Sequence, residues 1–173
     1  MKKNRLSLLL FAAILLLASC SKDKTDLPVE YKFILLDTLG NEKLEFDQGE
    51  NIIFSFQVIN KGSEDLFLKN FFPNDDFFRI YQNKANEGVI DYGIPYLGFT
   101  LPAGYFVNKN SIFKIDYPWN EINNKTDNTV LFGDNERPDL PVGSFITSFS
   151  QSFVFGDNIQ TEEKQFEISF TIK

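Results

Sequence analysis

Gln165-Phe166-Glu167-Ile168-Ser169-Phe170-Thr171-Ile172 decides the fold. Apolar side chains at 166, 168, 170 and 172 alternate with polar ones at 165, 167, 169 and 171. Successive side chains of a strand point to opposite faces, so this period marks an antiparallel strand with one face on a core and one in water. Upstream, Phe145, Phe149, Phe153 and Phe155 share one face, with Ser148, Ser150 and Ser152 on the other. The same alternation recurs at Tyr31, Phe33 and Leu35, at Ile52, Phe54, Phe56 and Val58, and at Phe113, Ile115 and Tyr117. Residues 66–71 and 77–82 read as two further strands around Pro73-Asn74-Asp75-Asp76. Turn chemistry separates the runs at Leu39-Gly40-Asn41, Asp47-Gln48-Gly49-Glu50, Asn60-Lys61-Gly62-Ser63 and Asn86-Glu87-Gly88. Residues 29–173 show no helical period, so the expected fold is an all-β antiparallel sandwich of about 7–9 strands.

The chain has 173 residues, enough for one ordinary domain. Twenty of its residues are Phe, which serve as core filler in such a sandwich. There is no His and only one Cys, which excludes Ser-His-Asp and Cys-His catalysis, an ordinary zinc site and an intramolecular disulfide. The formal charge is −7, and three of the 17 basic residues (Lys2, Lys3 and Arg5) fall in the first five positions. The remainder is therefore more acidic still. A surface of that sign repels phosphate backbones, so nucleic acid is an unsuitable partner. No Gly-rich segment has phosphate-loop spacing. The expectation is a protein without catalysis and without a cofactor.

After the basic start, residues 6–18 are apolar except for Ser7. At about 1.5 Å per residue the run is roughly 20 Å long in helical form, short of a hydrocarbon core of ~30 Å. It reads as the apolar centre of an export signal. It ends in Leu17-Ala18-Ser19-Cys20, which resembles the lipobox of bacterial lipoproteins of the Bacteroidetes type. The resemblance implies that residues 1–19 are removed, that the Cys20 thiol carries a diacylglycerol, and that residues 20–28 form a lipidated tether to a domain at 29–173. It further implies a cell-envelope, outer-membrane location. Lys22-Asp23-Lys24-Thr25-Asp26 mixes signs, which leaves the periplasmic and surface-facing sides both open.

Phe46-Asp47-Gln48-Gly49-Glu50-Asn51-Ile52-Ile53-Phe54 is followed by Val58-Ile59-Asn60-Lys61-Gly62-Ser63, then by Phe78-Arg79-Ile80-Tyr81 with Gly88-Val89-Ile90 as a hairpin. Trp119 and Leu140-Pro141-Val142-Gly143-Ser144-Phe145 come later. That order, over residues 43–155, resembles the Ig-like domain of the intracellular proteinase inhibitor (BsuPI-like) family. The resemblance implies an Ig-like sandwich and, as an alternative activity, protease inhibition. No inhibitory residue matches position by position.

Three groups of side chains are candidates for chemistry. Asp75-Asp76, placed at the tip of a hairpin, and Glu162-Glu163, near another turn, are the acid pairs that a carboxylate glycosidase would need. Adjacent acids on a strand point to opposite faces, so neither pair suffices alone, and solvated turn acids are the competing reading. Phe-Gly-Asp-Asn occurs at 132–135 and at 155–158, and both copies read as turns. A calcium site would draw on Asp134, Asn135, Glu136 and Asp139, or on Asp157 and Asn158, and neither stretch has the spaced ladder of a known loop. Tyr96, Tyr117 and Trp119 lie outside the clearest strands or at their ends and are candidate ligand contacts, as rings that stack on sugars. The competing reading has Tyr117 and Trp119 capping the core. Asp37-Thr38-Leu39 resembles a short O-glycosylation motif of Bacteroidetes periplasms, and a plain turn explains it equally well. Together these features point to a lipid-anchored binding or scaffolding module whose ligand is an envelope protein or a glycan.

Overall fold

The computed structural model describes residues 27–69, 76–95, 97–99, 104–120, 130–132 and 138–173. Among them there is no helix, and the chain is all-β. The strands are β1 (Val29–Leu36), β2 (Glu45–Phe46), β3 (Ile53–Asn60), β4 (Leu66–Lys69), β5 (Arg79–Lys84), β6 (Gly88–Gly93), β7 (Leu97–Phe99), β8 (Gly104–Val107), β9 (Ile112–Pro118), β10 (Val130–Phe132), β11 (Gly143–Gln151), β12 (Val154–Phe155), β13 (Ile159–Gln160) and β14 (Lys164–Ile172). Nine of these have four residues or more, at the upper end of the 7–9 that the alternation predicts.

Two sheets make the sandwich. One has the order β1-β3-β9, the other β2-β14-β11-β5-β6. The long pair β11–β14 is antiparallel, with Phe145 opposite Phe170 and Phe149 opposite Phe166. Phenylalanines from the two sheets interlock between the layers. Phe56 of β3 meets Phe166 of β14 edge-on at 5.1 Å and Phe149 of β11 at 5.6 Å, while Phe33 of β1 meets Phe149 at 5.2 Å. Aromatic quadrupoles favour such edge contacts over face-to-face stacks. A four-stranded sheet, β13-β12-β4-β8, contributes Leu68, Val107 and Phe155 to the same core, and β7 pairs with β10.

Several local expectations change. The described parts of the two strands expected around Asp75-Asp76, β4 and β5, do not pair with each other. β4 pairs with β8 and β12, whereas β5 pairs with β6 and β11 in another sheet. The physical reason is Phe77 and Phe78, both fully buried, which occupy a turn that enters the core before β5 begins. Phe153 and Phe155 are buried as the alternation implies, but β11 stops at Gln151 and the chain crosses into the four-stranded sheet at β12. The 155–158 copy of Phe-Gly-Asp-Asn is the β12–β13 turn, with Gly156 at φ 48° and Asn158 at φ 76°. Beyond Phe132, the 132–135 copy lies outside the described residues.

Candidate functional site

The outward face of β5, β11 and β14 holds an open cleft of about 300 Å³, lined by Asp76, Tyr81, Ser148, Phe149, Ser150, Glu163 and Gln165. Strand alternation builds it. Because Phe149 points into the core, Ser148 and Ser150 must point out, and Gln165 is paired opposite Ser150 across the β11–β14 ladder. Ser148 also sits opposite Arg79, and Ile146 opposite Tyr81, so β5 supplies the other wall.

Phe78 lies beneath the cleft, in the turn that carries Asp76 to its edge. Its φ is 62°, a left-handed conformation that is costly for a bulky side chain. Packing holds it there. Its ring lies 4.1 Å from Phe77, 5.0 Å from Phe33 and 5.2 Å from Phe149, and its carbonyl accepts a hydrogen bond from the buried Thr147 hydroxyl at 3.1 Å. The turn leaves Asp76 and Arg79 on the outer side. Arg79 Nε donates to Asp76 at 2.8 Å, and Arg79 Nη1 donates to Asp91 of β6 at 2.9 Å. Asp91 in turn accepts from the Gly93 amide at 2.7 Å. Burial works against the Arg79 charge, but the two carboxylates outweigh it and raise its pKa. Partial burial also raises the Tyr81 phenol above its ordinary value, with Arg79 pulling the other way, so Tyr81 stands as a neutral hydroxyl. The cleft thus presents hydroxyls, an amide and carboxylates, and its lining is mostly polar.

One member of each acid pair, Asp76 and Glu163, lines this same cleft. Asp75 lies outside the described residues. Tyr81, Ser148, Ser150 and Gln165 carried no signal of their own in the sequence beyond their place on the water-facing side of alternating strands.

The other candidates sit elsewhere. Trp119 is only 2% exposed, and its Nε1 donates to the Pro138 carbonyl at 3.0 Å. Its ring belongs to the core and offers no face for stacking. Tyr117 is half-buried, with its ring 5.9 Å from Phe78, and burial pushes its phenol pKa up. Tyr96, Cys20, Asp134, Asn135 and Glu136 lie outside the described residues. Asp139 is exposed and accepts from Asn120 Nδ2 at 3.2 Å. Among the described residues no group of three or more His, Cys, Asp or Glu is arranged to hold a metal ion. Asp37 closes the β1 turn, accepting from the Leu39 and Asn41 amides at 2.9 and 2.8 Å, so its side chain serves the turn.

No family model matches the chain, and no curated protein or solved structure matches it.

Proposed function

We propose that the chain is a lipid-anchored cell-envelope binding module, without catalysis, that takes a glycan in the cleft between β5, β11 and β14. The observation that carries this reading is the composition of that cleft, a mostly polar lining of Tyr81, Ser148, Ser150, Gln165, Asp76 and Glu163. A sugar offers a girdle of hydroxyls that both donate and accept, and those side chains complement it. The acidic surface repels polyphosphate ligands, which favours a neutral or basic glycan over nucleic acid. Export and anchoring rest on the leader and on Cys20 as the acylated residue, with the membrane as the second partner.

A glycan array probed with the chain, followed by calorimetry on each hit, tests the reading. Tyr81→Ala and Gln165→Ala are each expected to weaken binding about tenfold, since one lost contact of this kind is worth roughly 1 kcal/mol or somewhat more. Full affinity in both variants removes the cleft as the site. Inhibition of a serine protease by the same chain would put the inhibitor reading in its place. One observation favours hydrolysis as a second reading: Asp76 and Glu163 share the cleft. Prolonged incubation with a bound oligosaccharide tests it, and an unchanged saccharide ends it.

A further inference from the structure

We propose that the end of the sandwich where the chain leaves its tether rests on the lipid bilayer through Phe106 and Ile112, an inference that depends on the anchoring at Cys20 proposed above.

The end is a single built unit. Leu27 packs against the core, and the Pro28 carbonyl accepts from the Lys61 amide at 2.8 Å. A Cβ at Gly62 would stand 2.6 Å from the Pro28 ring, so proline and glycine meet flush. Asn60, fully buried, ties the neighbouring segments together. Its Nδ2 donates to the Glu64 carbonyl at 2.8 Å and to the Val107 carbonyl at 3.0 Å, its Oδ1 accepts from Gly62 at 2.8 Å, and its amide donates to Ser111 at 3.0 Å. The tether exit, the β3–β4 turn and the β8–β9 connection therefore move as one.

Two apolar side chains project from this unit into solvent. Phe106 is 72% exposed and Ile112 is 51% exposed. Of the phenylalanines whose burial is described, Phe106 alone is exposed. Its neighbour Val107 faces the core, so alternation turns Phe106 outward, where its ring lies 5.0 Å from that of half-buried Phe67.

What covers them follows from chain length. Fully extended at about 3.5 Å per residue, the chain from Cys20 to Leu27 spans at most about 25 Å, so an acylated Cys20 keeps this end beside the membrane surface. Lys61 is paired with Glu30 at 3.3 Å, and Lys109 sits beside Asp65, whose carboxylate accepts its amide at 2.8 Å. With both signs present, the contact is apolar and insensitive to salt, and it forms equally on zwitterionic lipid.

The test uses the full acylated chain in phosphatidylcholine vesicles whose acyl chains carry bromine near the headgroup. Phe106→Trp and, independently, Ile112→Trp are compared with the wild type, whose Trp119 is a constant buried background, and with Val89→Trp, which places an indole at an exposed site on β6. The expected result is blue-shifted added emission and bromine quenching for the first two variants, unchanged by salt, and neither for the third. Water-like, unquenched emission at both 106 and 112, on protein whose Cys20 acylation is verified by mass spectrometry, overturns the docking while the anchor stands. A Cys20→Ala chain that stays with the vesicles as firmly as the acylated one overturns the anchor, and with it the docking that rests on it.

Discussion

Replacing Phe56 with Ala strikes the point where the two sheets meet. Phe56 is fully buried at the centre of β3. Its ring stacks on Phe153 at 5.5 Å and meets Phe166, Phe149 and Phe77 edge-on at 5.1, 5.6 and 6.0 Å. Truncation opens a cavity between the layers, walled by Phe149 and Phe166 of the facing sheet together with Phe77 and Phe153, and the paired strands limit how far these rings can close it. Phe→Ala in a core costs about 3–5 kcal/mol, and poor collapse puts this site near the upper end. Against a total of roughly 5–15 kcal/mol that is a large share. A domain of this size loses about 2–4 °C per kcal/mol, so Tm should fall by about 10 °C or more. Urea titration and thermal melts followed by circular dichroism read this directly, with Leu39→Ala, 85% exposed in the native chain, as the surface control. The control should stay within about 0.5 kcal/mol of wild type. A loss below about 1 kcal/mol for Phe56→Ala would show that this ring does not lie between the layers.

Asn60→Ala strands the Glu64 and Val107 carbonyls and the Gly62 amide, and should cost about 3 kcal/mol in the same titration. Gly104→Ala places a Cβ 2.7 Å from the Leu68 carbonyl oxygen and 2.5 Å from the Phe67 ring. The ring can swing but the backbone cannot, so a loss of about 1–3 kcal/mol is expected in a melt. Burial raises the phenol pKa values of Tyr31 and Tyr117. At Tyr31 the nearby Thr161 pulls modestly the other way without reaching hydrogen-bond geometry. A raised folded-state pKa means stability that is complete below the unfolded value of about 10 and is lost as pH climbs above it. Stability measured from pH 8 to 11 should therefore fall at the alkaline end, and Tyr31→Phe with Tyr117→Phe should flatten that fall. At neutral pH, Tyr31→Phe should cost nothing, because the hydroxyl it removes is buried without a partner.

Strands β11 and β14 were legible because each divides its residues cleanly between core and water. Phe145, Phe149, Phe166 and Phe170 turn inward, with serines, Gln165 and Glu167 turned outward. β3 was legible in its inner face, Phe54, Phe56 and Val58, but not in its rank. It lies between β1 and β9, and Ser55 and Gln57 on its other face are buried, where the mixture of Ile53, Ser55, Gln57 and Ile59 gives no clear side. Alternation says which side a residue faces and nothing about which strand lies beside it. β4 and β5 therefore looked like a hairpin, although they belong to different sheets. β2 is two residues long and pairs in parallel with β14, far too short to show a period. The cleft was hidden for the same reason. Asp76 and Glu163 drew notice as acids, but only the β5–β11–β14 register puts them on one face with Tyr81 and Ser148.

Backbone amide shifts of the isotopically labelled chain, titrated with its best array glycan, test the binding cleft most directly. The expected changes cluster on β5, β11 and the start of β14, around Tyr81, Ser148, Ser150 and Gln165. Changes confined to the β8–β9 end or to the Trp119 region, with the cleft silent, would contradict it.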